Sequence, residues 1–81
     1  MNERIYRLIE HEVIRAEKLH PYWPTDIIHQ VSIMNEEAGE SIRAALNYMY
    51  HDGELDDVIE ELIQTAAMCI RCLEHLGVLN E

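Results

Sequence analysis

Asn35-Glu36-Glu37-Ala38-Gly39-Glu40-Ser41 sets three carboxylates within about one and a half helical turns. Like charges three or four residues apart on a helix repel one another by about a few tenths of a kcal/mol per pair. The flanking residues Ile33, Met34, Ala38, Ile42, Ala44, Ala45 and Leu46 are apolar or small, so the helix that carries the charges must be largely buried. A bound cation removes the repulsion. This stretch therefore raises the question of fold and the question of function together.

The apolar pattern around it starts after Pro24, where Thr25 or Asp26 can cap a helix, and runs unbroken to about Tyr50. At about 100° per residue, Ile27, Val31, Met34, Ala38, Ile42, Ala45 and Met49 form one narrow stripe, the expected core face. Ile33, Glu37, Glu40 and Ala44 form a second face beside it, so Glu37 and Glu40 are expected along the edge of the packed side. Gly39 costs about 1 kcal/mol against alanine in a helix interior. A close approach of another helix or of a ligand is expected there.

Outward from this helix, the residues before Pro21 give another. Ile5, Leu8, Ile9, Val13, Ala16 and Leu19 recur at helical spacing from Asn2 to about His20. Pro21 biases His20 away from the helical region, and His20-Pro21-Tyr22-Trp23-Pro24 reads as a stiff aromatic loop. That loop is either a plug over one end of the helices or a place where Trp23 or Tyr22 stacks on a nucleobase. On the other side, His51-Asp52-Gly53-Glu54 breaks the chain, with Gly53 expected in the left-handed turn. A third helix follows, its stripe formed by Leu55, Ile59, Leu62, Ala66, Cys69, Leu73 and Leu76 and its end marked by Gly77. Glu54, Asp56, Asp57, Glu60 and Glu61 crowd its first turns beyond what the helix dipole needs. Asp57, Glu61, Gln64 and Met68 lie on one line beside the stripe.

Composition agrees with an all-α chain: Phe is absent and Gly and Pro are few, while hydrophobic residues make up 48%. Eighty-one residues make one domain at most, here residues 1–81, with a marginal core. The expectation is an antiparallel helical bundle of about three long helices whose core is completed by oligomerisation, as a homodimer or a dimer of dimers. A net charge of −10 excludes a nucleic-acid or anionic-membrane surface, and no run is apolar enough to span a membrane or to act as a signal peptide, so the protein is expected in the cytoplasm. Cys69 and Cys72 lie three apart on a helix, where a disulfide closes only with distortion, and are expected as core residues.

A loop this short between the second and third helices forces them antiparallel, so their carboxylate clusters can face each other. Glu40 and Glu61 differ in height along the pair by roughly 7 to 8 Å at 1.5 Å per residue, a gap that side-chain reach can absorb. All-oxygen ligands suit magnesium or manganese in preference to zinc.

Glu36-Glu37-Ala38-Gly39-Glu40 followed by Glu61-Leu62-Ile63-Gln64 resembles the MazG-like all-α nucleoside triphosphate pyrophosphohydrolases, which carry Glu-Glu-x-x-Glu on one helix and Glu-x-x-Asp on the next. The resemblance covers roughly residues 23–76. It implies that Glu37, Glu40 and Glu61 ligate magnesium and that Glu36 is a further ligand or the water-activating base, with Glu37 also at the catalytic centre. Gln64 stands where the wider family has aspartate and offers a carbonyl oxygen to the metal. The wording from Glu61 to Leu73, including Thr65, Met68 and Arg71, is similar to a phage and mobile-element branch in which glutamine is usual at that place. The implied reaction is hydrolysis of a nucleoside triphosphate to the monophosphate and pyrophosphate.

Arg43 and Arg71 are then candidate phosphate partners, the other reading of each being a surface charge. Trp23, His29 and Asn47 are candidates to touch ribose or base. Two further readings stand beside the enzyme: a non-catalytic MazG-like protein that binds nucleotide or metal, and an acidic helical bundle without a ligand.

Overall fold

Local chemistry starts each helix where the sequence places it. In the computed structural model, which describes residues 2–77, Asn2 Oδ1 accepts hydrogen bonds from the backbone N–H groups of Arg4 and Ile5 at 2.8 and 3.2 Å and opens α1 (Glu3–Leu19). Asp26 Oδ2 accepts from His29 N–H at 2.9 Å and opens α2 (Ile27–Tyr50). These side chains satisfy donors that have no partner inside the helix. The third helix, α3 (Leu55–Leu76), ends on Gly77 in the left-handed conformation with φ 74°, as expected.

The turn between α2 and α3 departs from expectation. Asp52, not Gly53, takes the positive φ, at 58°, which a short polar side chain tolerates. Gly53 serves a different need. Its N–H donates to the Asn47 carbonyl at 2.8 Å, and a Cβ at Gly53 would stand 2.9 Å from Asn47 backbone and side-chain carbons. The chain folds back so closely over the end of α2 that only glycine fits.

The architecture is an all-α bundle with α3 at its centre, packed on α2 along one side and on α1 along the other. Val13, Ala16, Ala67 and Met68 form the core, and Trp23, Ile33 and Met34 pack against it. The aromatic loop thus supplies the plug: Trp23 is half-buried, whereas Tyr22 is 93% exposed. Cys72 is buried and its thiol donates to the Gln30 carbonyl at 3.3 Å, but Cys69 is exposed; both are free thiols. The expected core role holds for one cysteine of the two. Among the described residues no helix is long and apolar enough to cross a membrane.

The expected stripes of α2 and α3 turn inward only in part. On α2 Met34 packs against the core and Ala38 and Ala45 are half-buried, whereas Ile27, Val31, Ile42 and Met49 lie exposed, Ile42 at 65%; on α3 Ala66 is half-buried, whereas Leu55, Ile59, Leu62, Leu73 and Leu76 are exposed. The second face of α2 is the one that meets α3: Gln30 and Ser41 are buried, and Ile33, Glu37 and Ala44 partly so. Ser41 and Thr65 explain why. Their hydroxyl oxygens lie 3.0 Å apart across the helix pair, and each is also within hydrogen-bond distance of the carbonyl one turn back, Glu37 at 3.2 Å and Glu61 at 2.8 Å, so their two protons are shared among three contacts. Small side chains let the helices approach along this line, which the bulky stripe would hold apart. Gly39 lies on the outward side, with nothing among the described residues within 4 Å of the position its Cβ would take, so no close approach among them accounts for it.

Candidate metal centre

The approach of α2 to α3 at Ser41 and Thr65 sets the carboxylates one turn away against each other. Glu37 and Glu40 from α2 and Glu61 from α3 each bring an oxygen to within 4.8 Å of the others. The height difference counted along the helices is absorbed by side-chain reach. Glu37 and Glu61 are partly buried and Glu40 is exposed, so the cluster opens to solvent at one side.

Its electrostatics are those of like charges held together. Burial pushes the Glu37 carboxyl above its usual range, and the charges of Glu40, Glu12 and Glu36 push it further. Burial likewise raises Glu61, followed by a hydrogen bond with Glu40 and the charges of Glu40, Glu37 and Glu60, to about 6. No cation among the described residues forms an ion pair with the three. One oxygen of Glu37 and one of Glu61, both Oε2, are buried without a hydrogen-bond partner. Two orphaned carboxylate oxygens within an all-oxygen donor set fit a hard divalent cation, which prefers such ligands to nitrogen or sulfur.

Two clefts flank the cluster. The larger, of about 400 Å³, runs from Glu37 and Gln64 to Trp23 and Arg71 and is walled by Glu12 and Arg15 of α1. The smaller, of about 290 Å³, joins Glu40 and Glu61 to Arg43, Asn47 and Asp57. Of the residues singled out in the sequence, the structure thus gathers Glu37, Glu40 and Glu61 into one centre. Gln64, Trp23 and Arg71 lie in the first cleft and Arg43 and Asn47 in the second. Glu36 and His29 are exposed and line neither.

Arg71 corrects one reading outright, because it is not a surface charge. It is 3% exposed, its Nη2 donates to the His20 carbonyl at 2.8 Å, and its guanidinium carbon stands 4.4 Å from the Trp23 ring centre. Trp23 also stacks on His75, with ring centres 5.3 Å apart. Its ring is therefore already engaged by two neighbours.

Sequence reasoning missed Glu12 and Arg15. The Glu12 carboxylate, only 14% exposed, binds Arg15 through two hydrogen bonds of 2.9 and 2.7 Å and adds its charge to the field at Glu37. Nothing in an acidic residue three before an arginine distinguishes this pair from a solvated one; only the docking of α1 on α3 does so. No family model, curated protein or solved structure matches this chain.

Proposed function

We propose that this chain is a magnesium-dependent nucleoside triphosphate pyrophosphohydrolase of the MazG-like kind, active as a homodimer or a dimer of dimers in the cytoplasm. The observation that carries the reading is the meeting of Glu37, Glu40 and Glu61 within 4.8 Å, with two of their buried oxygens unpartnered. Left without a cation, such a cluster destabilises the fold; with one, it becomes a binding site.

Glu37, Glu40 and Glu61 would hold the magnesium, with the Gln64 carbonyl oxygen offered from the larger cleft, which Glu37 also lines. Manganese satisfies the same donors. When bound, the metal offsets the charge of the phosphate oxygens, which an acidic protein otherwise repels. The proton of the attacking water passes to Glu37, which lines the larger cleft, because Glu36 is exposed and lines neither cleft. The water oxygen bonds to the α-phosphorus, the bond from that phosphorus to the bridging oxygen breaks, and pyrophosphate leaves with the electron pair. Arg71 and Trp23 of the larger cleft and Arg43 and Asn47 of the smaller are the residues that we assign to the substrate; His29, which lines neither, is left out. The exposed apolar stripes of α2 and α3 support assembly, since a second copy would bury what the monomer leaves in water.

Release of pyrophosphate from a panel of ribo- and deoxyribonucleoside triphosphates, in magnesium and in chelator, tests the reading. Metal-dependent release from one or more of them is the expected result. Gln64 supports a second reading, because a neutral amide in place of a carboxylate leaves the centre one charge short for turnover. On that reading magnesium or nucleotide stabilises the chain and no triphosphate is cleaved.

A further inference from the structure

Among the described residues, three buried polar atoms outside the acidic cluster have no hydrogen-bond partner: Arg71 Nε, Trp23 Nε1 and Gln30 Oε1. Arg71 is the most demanding of them. It is nearly fully buried, yet among the described residues it forms no ion pair, and its only hydrogen bond goes to a backbone carbonyl. A ring face and a carbonyl dipole offset part of the cost of taking a guanidinium out of water, but a full counter-charge is absent. The two orphaned N–H donors belong to residues that line the larger cleft, the one that also reaches Glu37 and Gln64.

The two clefts differ in charge. The larger is lined by two guanidinium groups, Arg15 and Arg71, against two carboxylates, Glu12 and Glu37, and Arg15 is already paired with Glu12. Arg71 is therefore the cation left over. In the smaller cleft Arg43 stands alone against Glu40, Asp57 and Glu61, beside the amide of Asn47. A phosphate chain leaving the acidic centre meets an unspent positive charge on one side, and an excess of carboxylates on the other. Hydroxyls and base edges suit the second side, where carboxylate and amide groups can accept and donate hydrogen bonds.

We infer that the substrate lies across the acidic centre in one direction, with its pyrophosphate end in the larger cleft against Arg71 and its nucleoside end in the smaller cleft against Asn47 and Asp57. This rests on the triphosphate reading and gives that site its polarity. It also removes Trp23 from base stacking, because its ring already backs Arg71 and stacks on His75.

Inorganic pyrophosphate is the probe, with its binding to the full chain measured by calorimetry in magnesium buffer. Arg71→Gln is expected to weaken pyrophosphate binding by about tenfold or more, the usual effect of losing a charge-assisted contact. Asn47→Ala is expected to leave pyrophosphate binding unchanged and to weaken binding of nucleoside monophosphates. Arg71 also anchors the loop at His20, so the ¹⁵N-labelled unmutated chain gives a second reading that needs no variant: pyrophosphate shifts the Arg71 Nε–H and Trp23 Nε1–H resonances. Resonances that stay in place, undiminished affinity in Arg71→Gln, or no pyrophosphate binding at all would overturn the inference. Arg71-dependent binding in a chain that cleaves no triphosphate upholds the polarity and removes the reaction; cleavage with Arg71-independent binding does the reverse.

Discussion

The two long helices of the hairpin each present two faces, and their apolar side chains are divided between them. The inner face carries Glu37, Glu61, Ser41 and Thr65 beside Ile33, Met34, Ala67 and Met68, while the outer face carries Ile27, Val31, Ile42, Leu62 and Leu73. Each large aliphatic side chain left on the outer face forgoes about 1.5–3 kcal/mol of burial. The small core is the result: among the described residues no large side chain is fully buried. On the function proposed above, the inner face is kept for a ligand and the outer face for a second copy.

The largest effect expected is on the outer face. Ile42→Glu places a charge in the middle of the α2 stripe. If a second copy covers that stripe, assembly loses roughly 3 kcal/mol or more through the buried charge, and light scattering follows the shift to monomer. If the stripe faces water, the change stays within about 0.5 kcal/mol and the mass is unaltered, which would end the comparison as drawn.

The inner face is tested by removing charge and keeping shape. Glu37→Gln, Glu40→Gln and Glu61→Gln should each abolish stabilisation by magnesium and release of pyrophosphate. In chelator each variant should be as stable as the parent or up to about 1–2 kcal/mol more so, because repulsion is relieved. Uniform destabilisation in chelator, read by thermal unfolding, would show a structural charge network in place of a metal site. Gln64→Asp sharpens the same point: it should tighten magnesium binding if Gln64 faces the metal, and only destabilise if it does not.

A smaller effect comes from protons. The Glu61 carboxyl titrates at about 6 in the folded chain against 4.5 ordinarily, so the folded state holds this proton more tightly than the unfolded state. In chelator, stability therefore increases as the pH falls from about 6 toward 4.5 and is lower above that window. The gain is on the order of 1 kcal/mol once solvent screening is allowed for. Magnesium should flatten the dependence, because a bound cation makes the charged form the favoured one. Unfolding curves at several pH values, with and without the metal, check the sign.

How much of this was legible in the sequence follows the same division. Helix ends were readable nearly to the residue, because Asn2, Asp26, Pro21 and Gly77 act through local geometry that needs no partner. The acidic cluster was readable because the spacing of Glu37, Glu40 and Glu61 along two helices joined by a short turn leaves few ways for them to avoid each other. Which part of each apolar stripe turns inward was not. Periodicity ranks faces by apolarity, and here a pair of hydroxyls, Ser41 and Thr65, settles the approach instead. Arg71 and Glu12 were misjudged or missed because their burial depends on where the loop and α1 dock, a long-range outcome that no local spacing encodes.

The smallest effect bears on the same two faces and has a sign that differs between them. Gly39 interrupts α2 on its outward side, and a methyl group there meets nothing among the described residues within 4 Å in the single chain. In an isolated chain Gly39→Ala should therefore stabilise by about 1 kcal/mol, the ordinary gain of alanine over glycine in a helix. If a second copy lays a helix over the stripe beside Ile42 and Leu46, glycine is the residue that lets two backbones come close, and the added methyl group pushes them apart. The substitution should then weaken assembly while strengthening the monomer. Urea unfolding at two protein concentrations separates these outcomes: a stabilisation that is the same at both says that the outer face is bare, whereas a loss at high concentration with a gain at low places a second helix over Gly39.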